Sequence, residues 1–186
     1  MLHPFQLREI VRRLRTGAVI AYPTEAVFGL GCDPYNEMSV RRLLQIKQRS
    51  LQKGLILIAA EFVQLEPFIE PLDATVRERI DATWPGPVSW LLPAKKWVPT
   101  WLRGAHTTLA VRITAHSQAA QLCRAFGAPL VSTSANISGR PPARTALAVR
   151  YQLTGLVDCI VPGTIGGASR PSEIRHGLNG HVVRAG

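Results

Sequence analysis

Residues 18–36 read AVIAYPTEAVFGLGCDPYN, an apolar run that passes directly into a long segment rich in turn residues. The run AVIAY (18–22) predicts a buried β-strand, and residues 23–36, with two prolines and two glycines, predict a loop. The same junction recurs where the apolar run PLVST (129–133) leads into SANISGRPP. In α/β proteins ligands bind where loops leave the strands, so these two stretches are the first candidates for a site.

Helical and strand patterns alternate around these junctions. Helices are predicted over residues 5–16, 37–49, 73–83, 117–126 and 145–153, and further strands over 55–60, 88–92, 109–113, 158–162 and 181–185. Asp73 is placed to cap the third helix, and Gly17 to end the first. No composition break divides the chain. We therefore predict a single α/β domain over 1–186, called α+β in some schemes, with a twisted mixed sheet flanked by helices.

Composition and charge restrict the classes of protein to which the chain can belong. The chain has 186 residues, 46% of them hydrophobic, which excludes a disordered tail and a fibrous repeat. Its net charge is +10, and 18 of the 22 basic residues are arginine. Residues 1–60 contain nine basic and four acidic side chains, and residues 82–186 contain eleven basic and two acidic ones. Between them, residues 61–81 contain two basic and six acidic side chains. No Asp or Glu occurs in residues 82–157, which predicts an anionic ligand, either a nucleotide or a nucleic acid.

The three cysteines, Cys32, Cys123 and Cys159, form no CxxC pair and are interpreted as buried thiols of a reducing compartment. No apolar run is long enough to span a membrane, and the N-terminal residues do not form a signal peptide. We expect a cytoplasmic protein with no membrane partner.

Several catalytic motifs are missing from the sequence. It contains no Walker phosphate loop, no complete GxGxxG, no HExxH and no GxSxG, and its five histidines are scattered. Nothing therefore supports a structural zinc site or a serine hydrolase.

Four stretches carry residues suited to an anionic ligand. In the first, Thr24 and Glu25 follow a strand in a turn opened by Pro23, and Gly29 and Gly31 would let a ligand approach the backbone closely. An ordinary turn with glycines is the alternative.

The second stretch places the cations Lys47, Arg49 and Lys53 at a helix end, where they could bind an anion or only complement the helix dipole. The third, STSANISG (132–139), offers hydroxyl and amide groups to a phosphate or ribose, or else satisfies its own backbone.

The fourth stretch embeds Arg112 in the apolar strand LAVRI (109–113). A buried arginine needs an anionic partner, yet the nearest acids in sequence are Asp81 and Asp158. Either a distant acid or an anionic ligand pairs with it, and we favour the ligand.

Taken together, these stretches resemble one family. The segments, in chain order, are YPTEAVFGLGCD (22–33), IKQRSLQKGLILI (46–58), WPGPVSWLL (84–92), LAVRI (109–113), PLVSTSANISG (129–139) and PSEIR (171–175). Their order and spacing, from about Ile20 to Arg184, are similar to those of the YrdC/TsaC-type threonylcarbamoyl-AMP synthases in their short, single-domain form. The combination of KxR (Lys47, Arg49) and SxN (Ser134, Asn136) with PTE and WPGP is the most specific part of the match.

The resemblance implies a YrdC-like fold and a nucleotidyltransferase reaction. Such enzymes convert L-threonine, bicarbonate or CO2 and ATP into threonylcarbamoyl-adenylate and pyrophosphate, with Mg²⁺ accompanying the ATP. Partner proteins then transfer the threonylcarbamoyl group to tRNA, at the adenosine next to the anticodon. Some members also bind RNA, either tRNA or double-stranded RNA.

The resemblance also implies roles for individual residues. Those matched to ATP binding are Lys47, Arg49, Lys53, Arg112, Ser134, Asn136 and Arg184, of which Lys47, Arg49 and Arg112 are matched to catalysis. Those matched to threonine binding are Thr24, His116 and Ser172. No metal ligand can be named. The chain departs from the family pattern at Ser50, where many members have proline, and at Ile58, where some have a histidine that contacts threonine.

Two other functions compete with this interpretation. A non-catalytic double-stranded RNA-binding or ribosome-assembly factor would account for the charge, and Lys95, Lys96, Arg140 and Arg144 are then the cations free to attract RNA. Such a factor would not need the KxR and SxN residues. A carbamoyl-phosphate-dependent hydrogenase maturation module shares the domain but has zinc-finger cysteines, which this sequence lacks.

Overall fold

The computed structural model describes all 186 residues, which form six α-helices and nine β-strands. The helices are α1 (Pro4–Arg15), α2 (Glu37–Lys47), α3 (Ala74–Asp81), α4 (Thr100–Arg103), α5 (Ser117–Phe126) and α6 (Ala146–Leu153). The strands are β1 (Ile20–Pro23), β2 (Phe28–Gly31), β3 (Ile56–Ala59), β4 (Val88–Pro93), β5 (Thr108–Ile113), β6 (Leu130–Ser134), β7 (Cys159–Ile160), β8 (Glu173–His176) and β9 (Val182–Arg184).

All nine strands belong to one mixed sheet, in the order β7-β1-β2-β6-β3-β5-β4-β8-β9. The pairs β1–β7, β3–β5 and β4–β8 are parallel, and the other neighbours are antiparallel. The register shifts at Ile174/Arg175, where β8 meets the edge strand β9. The mixed sheet flanked by helices confirms the predicted fold class.

The two faces of the sheet are covered differently. Along β5, Leu109, Val111 and Ile113 belong to the larger core cluster of 30 buried residues, which includes residues of α2, α3 and α6. Ala110 and Arg112 point to the opposite face and line a cavity. On that face α1 and α5 cover only one part of the sheet, through a second cluster of 16 buried residues. The rest of that face is left open for a ligand.

Side-chain caps fix where the helices begin. Asp73 Oδ1 accepts a hydrogen bond from Val76 N (2.7 Å), as the sequence predicts, and Asn36 Oδ1 accepts one from Ser39 N (3.1 Å) at the start of α2. The helix predicted over 37–49 ends earlier, at Lys47, because Gln48 adopts a left-handed conformation with φ 49°. This turn separates Lys47 from Arg49, which matters for the site.

Three elements were not predicted from the sequence. The segment predicted as a loop over 23–36 contains β2, which forms a hairpin with β1, and the Gly-rich segment after residue 162 contains β8. The short helix α4 was also missed. The expected role of Gly31 is wrong, since a Cβ there would lie 2.6 Å from Val131 O and 2.7 Å from Tyr22 Cε1. This glycine accommodates neighbouring protein atoms rather than a ligand.

The prediction of buried thiols is confirmed for Cys32 and Cys123, while Cys159 is half-buried, and none of the three forms a disulfide. None of the helices has the length and apolar character needed to span a membrane.

Candidate active site

The open part of the sheet forms the floor of a cavity of about 400 Å³. Its walls come from the hairpin after β1, the turn at residues 49–55 and the C-terminal segment 170–184. Six Arg and Lys side chains line it but only one carboxylate, that of Glu25; the cations are Arg49, Lys53, Arg103, Arg112, Arg170 and Arg184. Such a cavity concentrates positive potential and attracts anionic ligands.

Arg112 has its acidic partner across the cavity floor. Its Nη2 lies 3.2 Å from Glu25 Oε2, and both side chains are nearly buried. The other carboxylate oxygen of Glu25, Oε1, accepts hydrogen bonds from Thr114 Oγ1 (2.7 Å) and Ala115 N (3.1 Å). The distant acid, the alternative that the sequence did not favour, therefore pairs with Arg112, while the buried Arg112 Nε has no partner and the residue also lines the cavity.

The charge of Glu25 is stabilised in place. Burial alone would raise its pKa, but the Arg112 cation and the hydrogen bonds from Thr114 and Ala115 outweigh burial and hold this pKa below its ordinary value. Glu25 is therefore an ionised, fixed counter-charge for Arg112. The two belong to different strands and loops, which explains why sequence spacing did not connect them.

Thr24 and Glu25 belong to the tight hairpin between β1 and β2. Thr24 Oγ1 donates to Val27 O (2.7 Å), so its hydroxyl also serves the turn. The backbone carbonyls of Thr24 and Glu25 accept from Gly166 N and Ala168 N, both at 2.9 Å. The Gly-rich segment thus runs along this hairpin before its downstream residues form a cavity wall.

The KxR and SxN residues come together but do not all reach the cavity. Arg49 and Ser134 line it, whereas Lys47 and Asn136 are buried behind the lining. Lys47 Nζ donates to Ser134 O (2.5 Å) and Asn136 O (2.9 Å) and lies 3.2 Å from Asn136 Oδ1. Burial, followed by repulsion from Arg49, lowers the pKa of Lys47 to about 8.

The remaining cations surround the opening. Arg49 Nη2 donates to Gly54 O (3.0 Å), while its buried Nε has no partner. Arg184 Nη2 donates to Ser172 O (2.8 Å), which ties the last strand to the cavity wall. Burial, together with the Arg49 and Arg112 cations, lowers the pKa of Arg184. Arg49, Arg112 and Arg184 therefore line one cavity and repel one another electrostatically.

The residues matched to threonine are distributed unevenly. Thr24 and Ser172 line the cavity, and Ser172 Oγ lies 3.3 Å from Ser89 Oγ. His116 is outside the lining; its Nδ1 caps α5 by accepting from Ala119 N, and its Nε2 lies 3.0 Å from Thr164 O. Ile58, the position of the family histidine, is fully buried in the smaller core cluster.

Sequence reasoning missed Arg103, His106 and Arg170 as cavity residues. Arg103 ends the unpredicted helix α4, and Arg170 follows a Gly-rich segment without a recognisable pattern. Of the three, only Arg103 and His106 lie in the acid-free stretch 82–157, and the positive charge of Arg103 there was the one signal in the sequence.

A sheet face with a cation-lined cavity, framed by the PTE hairpin and the KxR and SxN residues, defines an α/β protein for an anionic, nucleotide-like ligand. A family model for Sua5, YciO and YrdC proteins, described as "Telomere recombination", matches residues 12–186. The chain belongs to this family, which confirms the resemblance seen in the sequence.

Individual relatives agree with this assignment. The chain is 56% identical over 180 residues to a threonylcarbamoyl-AMP synthase of Nitrosococcus oceani, covering 97% of both chains. It is 53% identical over 181 residues to the same kind of protein from Halorhodospira halophila, covering 97% of this chain and 95% of the relative. Among solved structures, P. abyssi Sua5 complexed with L-threonine matches with a TM-score of 0.89 and 31% identity over 95% of this chain. This chain spans about half of that protein, 52% of its length.

Proposed function

We propose that this chain is a threonylcarbamoyl-AMP synthase, a nucleotidyltransferase that joins L-threonine, bicarbonate or CO2 and the adenylate of ATP and releases pyrophosphate. The cation-lined cavity carries the proposal, since six Arg and Lys side chains converge there on space for a nucleotide. The relatives that are 56% and 53% identical over nearly the whole chain bear the name of this activity.

The cavity residues fit the charge that the reaction develops. A carbamate oxygen of N-carboxythreonine attacks the α-phosphorus, a P–O bond forms, and the bond to the β-phosphate oxygen breaks with pyrophosphate as the leaving group. Negative charge accumulates on the phosphate oxygens and needs fixed cations. Arg49 and Lys53 approach from the turn, while Arg112 and Arg184 approach from the sheet. No covalent nucleophile is required.

Threonine binding would use the hairpin side of the cavity. Thr24 lies in this hairpin, Ser172 lies in the C-terminal wall, and Glu25 is the single carboxylate among the lining residues. The solved P. abyssi Sua5 contains L-threonine, which supports an amino-acid site in this fold. The role of His116 in threonine binding stays a prediction.

Mg²⁺ would enter with ATP. The protein has no cluster of three or more His, Cys, Asp or Glu side chains suited to a metal, and the cavity carboxylate of Glu25 is already bonded to Thr114 and Ala115. We therefore propose that the triphosphate oxygens supply most of the coordination, which suits the preference of Mg²⁺ for oxygen ligands and retained waters.

The partners beyond the substrates also belong to this proposal. They are the proteins that would transfer the threonylcarbamoyl group, and tRNA or double-stranded RNA attracted by Lys95, Lys96, Arg140 and Arg144, none of which forms an ion pair. A cytoplasmic location and a single domain stay predictions.

Pyrophosphate release tests the proposed function. We expect release to require ATP, L-threonine and bicarbonate together, and omission of any one to reduce it to background. Pyrophosphate release that does not depend on L-threonine would contradict the proposal. RNA binding without any pyrophosphate release would favour the non-catalytic alternative.

A further inference from the structure

The four residues of the KxR and SxN motifs divide into two pairs. Arg49 and Ser134 line the cavity, whereas Lys47 and Asn136 lie behind it and are only 3% and 8% exposed. The resemblance matches all four to ATP. Their positions indicate that only one pair touches the ligand.

Lys47 has no free donor for a phosphate. An ammonium group has three N–H donors, and four oxygens surround this one, namely Ser134 O, Ser134 Oγ, Asn136 O and Asn136 Oδ1, at 2.5–3.4 Å. All four oxygens are neutral. A direct contact with phosphate would require Lys47 to give up partners that are themselves buried or half-buried, which is costly.

Lys47 also binds the loop through its backbone. Its carbonyl oxygen accepts from both Ser138 N (2.9 Å) and Ser138 Oγ (2.7 Å). Within the loop, Asn136 Nδ2 donates to Arg140 O, and Asn136 Oδ1 accepts from Ser134 Oγ (both 2.6 Å). The end of α2 and residues 134–140 therefore form one hydrogen-bonded unit, with Ser134 as its cavity-facing member.

We propose that Lys47 is a positioning residue that, together with Asn136, fixes this loop and the orientation of Ser134, and that Arg49 is the cation of the motif that meets the phosphates. The assignment rests on the proposed function in so far as ATP is the ligand. It departs from a direct role of Lys47 on the triphosphate.

The salt dependence of ATP binding separates a positioning role from a direct one. A cation in contact with phosphate contributes most to the slope of log affinity against log salt, and one held behind the cavity contributes less because its distance from the phosphates is larger. In calorimetric titrations we expect Lys47→Met to weaken ATP binding roughly tenfold, with a slope that flattens less than in Arg49→Met. Arg49→Met, the matched control, should flatten the slope.

A double-mutant cycle tests whether Lys47 and Asn136 act as a unit. We expect Asn136→Ala to weaken ATP binding with unchanged slope, and Lys47→Met combined with Asn136→Ala to cost little more than either change alone. A slope that flattens in Lys47→Met as much as in Arg49→Met, losses that simply add, or unchanged ATP affinity would each overturn the proposal.

Amide hydrogen exchange tests the loop without any ligand. Exchange at Asn136, Ser138 and Arg140 should accelerate in Lys47→Met and stay unchanged in Arg49→Met. If the wild-type protein bound no ATP, the proposed function would fail, and exchange alone would decide the positioning role. Unchanged exchange in Lys47→Met would refute it.

Discussion

Arg112 is held in a fixed position at the floor of the cavity. Its guanidinium group pairs with Glu25, and its backbone pairs with that of Ile58 in the sheet. We expect Arg112→Ala to lower the turnover number for pyrophosphate release by roughly 10²–10³, as loss of a preorganised charge stabiliser does. Arg124→Ala provides the control, since Arg124 forms an exposed ion pair with Glu61. A near-normal rate for Arg112→Ala would place this residue outside the chemistry.

Glu25 is expected to support the fold as well as the site. Glu25→Gln leaves the buried Arg112 without a counter-charge, so the free energy of unfolding should fall by about 3 kcal/mol at neutral pH. Because the folded protein holds the pKa of Glu25 below its ordinary value of 4.5, the wild-type advantage is present above that value and lost as pH falls through the folded pKa. Urea denaturation at neutral and acidic pH should show the two proteins converging in acid.

Lys47 at the end of helix α2 makes the free energy of unfolding depend on pH in the alkaline range. Lys47 has an ordinary pKa of 10.5 and a folded pKa of about 8, so the folded protein loses this proton first as pH rises. The Lys47 contribution to the free energy of unfolding therefore increases between about pH 8 and 10.5, by roughly 2–3 kcal/mol.

The matched comparison for this effect is Lys47→Met, which removes the titrating group. Burial also raises the pKa of three other groups, so their contributions to the free energy of unfolding fall at high pH; these groups are Tyr22, Cys32 and Cys123. Because all three are present in both proteins, their contributions cancel in the comparison. The difference in urea unfolding free energy between wild type and variant should move in favour of wild type as pH rises. A difference that stays constant with pH would contradict the prediction.

Local patterns predicted the elements better than their connections. Helix α5 begins and ends where the sequence places it, since Ser117 and Gly127 flank an apolar stripe. Strand β2 was missed because FGLG has two glycines, and its formation depends on pairing with both β1 and β6. The sequence likewise predicted that Lys47 and Arg49 belong to one site, but not that they have different positions in it. The left-handed turn at Gln48 decides which of the two side chains reaches the cavity.

For the whole molecule, the net charge of +10 divides between the cavity and the outer surface. If RNA binds through the surface, replacing Lys95, Lys96, Arg140 and Arg144 with glutamine should weaken RNA binding and its salt dependence. Pyrophosphate release should change less than twofold, because none of the four lines the cavity. Filter binding at several salt concentrations measures the first effect, and unaltered RNA affinity would exclude this surface.

The long-range arrangement could not be predicted from a single sequence. The order of nine strands, with β6 inserted between β2 and β3, depends on contacts between distant segments rather than on local periodicity. The Arg112–Glu25 pair and the wall formed by residues 170–184 follow from that order. Seven of the ten residues that the family resemblance named line the cavity, because the resemblance carries the outcome of those contacts.

The two ends of the sheet have a consequence for behaviour at high concentration. A wide sheet invites further strands to add at its margins, which is a common route to aggregation. Here the outermost strands, β7 and β9, have only two and three residues, and the register shift at Ile174/Arg175 interrupts regular pairing beside β9. Each margin therefore offers few free backbone donors and acceptors as a template. The fold can keep a nine-stranded sheet while remaining a poor seed for intermolecular β-structure.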